Sequence, residues 1–273
     1  VWRAAEADLG QARAEAEGAV KALLAGVAML SACASAGAVR TPEGDERGRV
    51  IDGRTGAVLS PAEVTRRLLD ARVILVGEEH ANPAYQAVQR EVLERVVALQ
   101  PEQMGPAIGI EWLPRSSEGV LDGFLKTSPP PPIGELRALV DWDKVWGHDF
   151  AAYADLFETA RRLRIPVVPL NAEPGLARLV ARGGIAGVPS ERTAELPPLN
   201  TGNDAHRAWF RERMEAASEG HPGHAVSGDA FDRMYHAQLV WDETMARSVV
   251  DAAATRKVVV FAGLGHVEHG LGI

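Results

Sequence analysis

The segment Gly77-Glu78-Glu79-His80 sets two carboxylates and an imidazole directly after the apolar run Val73-Ile74-Leu75-Val76. Such a β-branched run reads as a buried strand, and open α/β sheets gather ligands where their strands end. The pattern returns late in the chain, where Val258-Val259-Val260-Phe261 leads into Gly263-Leu264-Gly265-His266. Carboxylates and imidazoles suit proton transfer near neutral pH and the binding of hard or borderline metals. The neighbouring glycines let a ligand come close to the backbone. If strand geometry continues past Gly77, Glu78 and His80 face one side and Glu79 the other. Other strand ends add Glu111, after Ala107-Ile108-Gly109-Ile110, and Asn171, after Pro166-Val167-Val168-Pro169-Leu170, while Glu268 and His269 follow His266. A structural alternative has Glu78 capping the next helix, where the dipole favours an acid, and His80 as a hydrogen-bonded framework residue. Histidines and carboxylates at several separate strand ends favour one shared pocket.

A second group lies on a long helix expected over residues 231–251. Tyr235, Gln238, Asp242 and Met245 follow helical spacing and share one side. Gln238 and Asp242 are polar groups on a stripe that otherwise looks buried, so they need partners, and the strand-end cluster could supply them. The alternative is a core face rotated away, leaving both in solvent. Tyrosine occurs only as Tyr85, Tyr153 and Tyr235, and a tyrosinate can ligate ferric haem iron. The stretch from Trp142 to Tyr153, with Trp146, His148 and Phe150 between them, could line a flat apolar ligand or pack a helix on the sheet. Covalent c-type haem is excluded because no Cys-x-x-Cys-His occurs. The missing Gly-x-Ser-x-Gly elbow argues against a serine hydrolase.

The elements that must carry these residues alternate. Ser60-Pro61-Ala62-Glu63 opens a helix, with serine as cap, proline first and glutamate third. Helical spacing follows over about 83–99, 117–125 and 150–163, with the apolar runs between them. This predicts an α/β fold: a parallel-sheet core with helices on both faces. Residues 174–230 break the alternation with Gly183-Gly184, Pro189 and Pro197-Pro198, and read as an inserted helical lid carrying His206, His221 and His224.

The chain has 273 residues and a net charge of −8, a poor match for nucleic acid, whose phosphates need a basic face. Its one cysteine, Cys33, permits neither an intrachain disulfide nor a cysteine zinc cluster. Lys21 precedes the apolar run 22–30, which is shorter than a membrane span and of signal-peptide length. Leu30-Ser31-Ala32-Cys33 resembles the bacterial lipobox, so residues 1–32 read as a signal region and Cys33 as a lipidation site. The competing reading is a buried helix with an inert cysteine. The acidic residues before Lys21 fit a signal poorly, and translation starting at Val20 would remove them. Residues 33–59 then form a tether and lead-in, and 60–273 the folded domain, whose C-terminus is read as truncated because no covering helix follows the last strand. Ser35 and the absence of aspartate after Cys33 resemble sorting to the outer membrane.

Several of these segments together are similar to one family. Ile74-Leu75-Val76-Gly77-Glu78-Glu79-His80-Ala81-Asn82-Pro83, Asn171-Ala172-Glu173-Pro174, Ala237-Gln238-Leu239-Val240-Trp241-Asp242-Glu243-Thr244-Met245-Ala246 and Ala262-Gly263-Leu264-Gly265-His266-Val267 resemble, in the same order, the motifs of the ChaN-like haem-binding lipoproteins. The resemblance covers about residues 60–273. It implies a lipid-anchored envelope protein of iron or haem uptake, its haem pocket completed by a second copy in a homodimer. Tyr153, Tyr235, Gln238, Asp242 and His266 are then the candidate pocket residues. The erythromycin esterase and TIKI/TraB relatives carry similar glycine, histidine and glutamate elements for hydrolysis. That alternative makes Glu78 or Glu111 a general base, with His80 and His266 as proton shuttles or ligands of a divalent metal. A third alternative is an envelope scaffold with a vestigial pocket.

Overall fold

Val50–Ile51 (β1) and Val58–Leu59 (β2) pair antiparallel as a small separate ribbon. The main sheet is parallel and is built from Val73–Glu78 (β3), Ala107–Pro114 (β4), Val167–Asn171 (β5) and Val258–Gly263 (β6). Its order is β3-β6-β4-β5, so the last strand in sequence lies between the first two. The structure is a computed structural model that describes residues 48–100, 105–218 and 228–273. Cys33 and its apolar leader, the tether as far as residue 47, His221 and His224 lie outside the described residues.

The continuous apolar sequence of β6 follows from its place. Val258 lies opposite both Val73 and Ala107, and every residue of β6 is buried. Val259 and Phe261 join one apolar cluster, with Ile108, Ile110, Leu93, Phe124 and Phe157. Val258, Val260 and Ala262 join another, with Leu170, Met245 and Val249. Apolar residues on both sides of a parallel strand require cover on both faces.

Helices supply that cover. Pro61–Asp70 (α1) starts at the expected capping box: Ser60 Oγ accepts the Glu63 N–H at 3.3 Å and the Glu63 carboxylate accepts the Ser60 N–H at 2.8 Å. Pro83–Ala98 (α2), Glu118–Lys126 (α3), Leu136–Leu139 (α4), Trp142–Val145 (α5) and Ala151–Leu163 (α6) contribute to the first cluster through Leu93, Leu121, Leu136, Trp142 and Phe157. The second cluster is closed by residues 240–253, the later part of a long helix. β4 differs from expectation: it continues beyond Ile110 to Pro114, and its ladder with β5 slips between those residues. A bulge of this kind re-aims the strand end, which is where Glu111 sits.

Residues 175–239 form a separate compact unit. It holds Leu176–Gly183 (α7), Asp204–Ser218 (α8) and the first part of Gly228–Ala253 (α9), around Phe210, Met214, Phe231, Met234, Tyr235 and Leu239. The fold is therefore α/β, with a parallel sheet, helices on both faces and an inserted helical segment. No described helix is long and apolar enough to cross a membrane.

Candidate functional site

The strand order brings the polar ends together. Glu78 is in register with Gly263, and Glu111 follows Ile110, the partner of Phe261. Beyond β6 the chain turns into Leu264–Val267 (α10), which presents His266. Gly77 and Gly263 are needed for close approach. A Cβ at Gly77 would meet Leu264 Cδ2 at 2.6 Å, and one at Gly263 would meet His80 Cε1 at 2.8 Å.

Glu78 is buried at 2% exposure, and donors surround its carboxylate. Oε1 lies 2.9 Å from His80 Nδ1 and accepts from Trp112 Nε1 at 3.2 Å and Tyr153 Oη at 3.2 Å. Oε2 accepts from Gln89 Nε2 at 2.7 Å. These bonds replace the water a buried carboxylate loses. Burial works against a charged His80. The hydrogen bond to Glu78 and the charges of Glu111 and Glu78 outweigh it and raise its pKa.

A second chain of groups lies beside the first. Glu111 Oε2 accepts the Gly263 N–H at 2.5 Å. Its Oε1 lies 3.3 Å from His266 Nε2, while His266 Nδ1 lies 2.5 Å from Asp242 Oδ1. An imidazole facing a carboxylate oxygen through each nitrogen is doubly protonated. Burial opposes that charge, but Glu111 and Asp242 push His266 up to about 10. Burial likewise opposes charge on Glu111, yet the charge and hydrogen bond of His266, the charge of His80 and the Gly263 N–H hold it down to about 2.

Aromatic rings border the cluster. His80 is 4.7 Å from Trp146 and 5.2 Å from His148 between ring centroids, and Trp146 and His148 are themselves 5.2 Å apart. Trp241 stands edge-on to His266 at 6.3 Å. His148 is partly exposed; burial and the charge on His80 lower its pKa.

Glu78, His80, Glu111, Asp242 and His266 thus come together, while the other expected residues are placed differently. Asn171 supports the site through the backbone, its Nδ2 donating to the Glu111 carbonyl at 2.9 Å. Glu79 turns away to accept from Asn82 Nδ2, as strand alternation requires. Tyr153 is fully buried; its hydroxyl donates to Glu78 and accepts the Ala81 N–H at 2.9 Å. Burial and the Glu78 charge raise its pKa. Tyr235 and Gln238 are both buried and belong to the helical unit, where the Tyr235 ring stacks on Phe231. The solvent-facing alternative for Gln238 and Asp242 is overturned, since both are buried. Glu268 and His269 pair with each other at 3.8 Å, and His269 is exposed.

Among the described residues no group of histidines and acids is arranged to hold a metal ion. The physical reason is visible in the cluster, where the acids and imidazoles already satisfy one another. Gln89 and Trp112 were not singled out from sequence, and Trp146 and His148 entered only as part of the stretch from Trp142 to Tyr153. Gln89 carried a signal: it shares a helical face with Leu93 and Val96, and a polar residue at such a core position needs a partner.

The family model described as haem-binding uptake, Tiki superfamily, ChaN matches residues 64–273. Among solved structures, one described as cofacial haem binding to ChaN of Campylobacter jejuni is similar at a TM-score of 0.66 and 20% identity, over 82% of this chain and 83% of that one. A looser likeness, at a TM-score of 0.42 and 14% identity, is to the erythromycin esterase EreC in its open conformation, over 75% of this chain and 64% of that one. The type III effector HopBA1 is similar at a TM-score of 0.39 and 13% identity, over 75% of this chain and 71% of that one. None of the curated proteins matches the chain. The match to the family model spans most of the chain, which belongs to that family.

Proposed function

We propose that this member of the ChaN haem-binding uptake family captures haem at the cell envelope. The observation that carries the reading is the family match, which spans the whole sheet and every residue of the strand-end cluster. When bound, haem offers an iron that accepts an axial nitrogen or oxygen and a flat macrocycle that favours apolar walls. The side chains present fit such a group through imidazole and indole more readily than through phenolate. The Tyr153 hydroxyl is enclosed by Glu78 and Ala81, and the Tyr235 ring is packed in the helical core. His148 and Trp146 form a partly exposed aromatic pair beside the cluster. The charged cluster would serve as a fixed framework for that pair.

A hydrolytic reading uses the same carboxylates and histidines, as general base and proton shuttles. General bases work best with a pKa near the operating pH. Glu111 and His266 face each other, and the Gly263 N–H and Asp242 hold their other polar atoms, so neither is free to exchange a proton with a substrate. The balance favours ligand capture over turnover.

Titrating the purified protein with hemin tests the reading. Saturable change in the haem absorption spectrum is expected, with no turnover of ester or peptide substrates. Hydrolysis without haem binding would reverse the assignment. Light scattering on the same samples tests whether haem is held by a homodimer; a monomer at saturation would remove the shared pocket. Membrane attachment through Cys33 rests on the lipobox and apolar leader alone. Fatty-acid labelling of the expressed chain is expected, with loss in Cys33→Ser; equal labelling in that variant would defeat the lipoprotein reading.

A further inference from the structure

We propose that the β1–β2 ribbon is a membrane contact: Ile51 and Val58 enter the boundary between headgroups and acyl chains of an anionic phospholipid bilayer, and Arg54 meets the lipid phosphates there. This rests on the reading of Cys33 as a lipid anchor and names the surface that the anchored domain turns to the membrane. Ile51 lies opposite Val58 in the ribbon, so both side chains stand on one face. They are 52% and 54% exposed. The turn between them, residues 52–57, carries Arg54, which is exposed and has no acid partner among the described residues. The acids nearby are already engaged: Asp52 with Arg67 and with the N–H groups of Arg54 and Thr55, Glu63 with Ser60, and Asp70 with Arg66. Residues 48–72 hold five arginines against three acids, in a chain whose net charge is −8. An exposed apolar pair beside a cation matches an anionic bilayer.

The ribbon is pinned and lies close to the anchor in sequence. Its turn is closed by the Asp52 N–H donating to the Ala57 carbonyl at 2.8 Å and the Gly56 N–H donating to the Asp52 carbonyl at 2.7 Å, with Gly56 at a φ of +71°. The Arg67–Asp52 ion pair ties that turn to α1. Lys257 holds the far end of α1, its Nζ donating to the carbonyls of Leu68 at 2.6 Å, of Leu69 at 3.0 Å and of Ala71. Lys257 leads directly into β6, so the orientation of the ribbon is passed to the sheet that bears the polar cluster. Val50 lies 17 positions after Cys33, which bounds its distance from an anchored cysteine to about 60 Å. Within that reach a weak contact suffices, because attachment makes its formation intramolecular, at an effective concentration on the order of millimolar. A further strand is a poorer occupant, since strands of two residues offer it few backbone groups.

The test couples the full chain through Cys33, its one thiol, to a maleimide-bearing lipid in vesicles, so that it holds whether or not the cell lipidates that residue. Vesicles of phosphatidylglycerol and phosphatidylethanolamine are compared with the same chain capped by a soluble maleimide. Hydroxyl-radical labelling read by mass spectrometry should fall several-fold at Ile51 and Val58 on the vesicles. It should stay unchanged at Val250, which is 64% exposed on α9. Arg54→Glu, or phosphatidylcholine in place of both lipids, should restore much of the labelling, since each cation near an anionic surface contributes roughly fivefold in affinity. Circular dichroism and the thermal midpoint of Arg54→Glu should match wild type. Full labelling of Ile51 and Val58 on the coupled vesicles would overturn the proposal and leave the lipoprotein reading, which fatty-acid labelling decides, as it stands. Protection of the pair in the capped chain as its concentration rises would assign the face to a second copy instead.

Discussion

Tyr153 shows how a residue type that suggests one chemistry can be placed for another. A tyrosine near aromatic residues invites a role as an iron ligand, but its hydroxyl bridges the Glu78 carboxylate and the Ala81 N–H, where the backbone takes a positive φ of 56°. Tyr153→Phe is expected to leave that N–H unsatisfied and lower stability by about 1–3 kcal/mol in urea unfolding, with the hemin spectrum unaltered. A changed spectrum at full stability would return Tyr153 to the iron. The strand-end residues themselves were legible: an apolar run followed by glycine, acid and histidine has few other uses. Their partners were not, because Gln89 and Trp112 reach Glu78 from a helix and a neighbouring strand. Such contacts depend on packing, which spacing along one segment does not encode.

At the level of elements, the close approach of β6 to the loop after β3 makes a sharp distinction between two neighbouring glycines. A Cβ at Gly263 would sit 2.8 Å from His80 Cε1 and 3.4 Å from Glu111 Oε2, whereas nothing lies within 4 Å of one at Gly265. Gly263→Ala should displace the His80 ring and lower the unfolding free energy by about 1–3 kcal/mol, as overpacking usually does; Gly265→Ala should leave the His80 ring in place. Equal effects on the His80 resonances in NMR spectra would show that the contact does not constrain the ring. The strands of the main sheet, the capping box at Ser60 and the helical insertion were readable from periodicity and turn residues. The extension of β4 to Pro114 was not, because the bulge after Ile110 is set by pairing with β5 rather than by local preference. Strand order was out of reach for the same reason: apolar runs say that strands are buried but not which one is central.

Across the whole molecule, the buried charges predict a stability profile bounded on two sides. Glu111 has a folded pKa of about 2 against an ordinary 4.5, so its contribution is present above 4.5 and is lost as pH falls through about 2. His266 is raised from 6.5 to about 10, so its contribution is complete below 6.5 and drains away as pH rises toward about 10. Thermal midpoints measured against pH should decline on both flanks, and His266→Gln should flatten the alkaline one. An alkaline decline that survives this substitution would mean that other groups govern it.

The central position of β6 also has a consequence for the order in which the chain can be finished. β3 and β4 are made early, but each meets the other only through a strand that is made after every other strand of the sheet. Until residues 258–263 emerge, both earlier strands carry an open edge, and neither apolar cluster has its middle layer. Long-range pairings of this kind form slowly and leave unpaired edges exposed meanwhile. The sheet must therefore remain unfinished until β6 has emerged, and its completion and that of the charged cluster become one event.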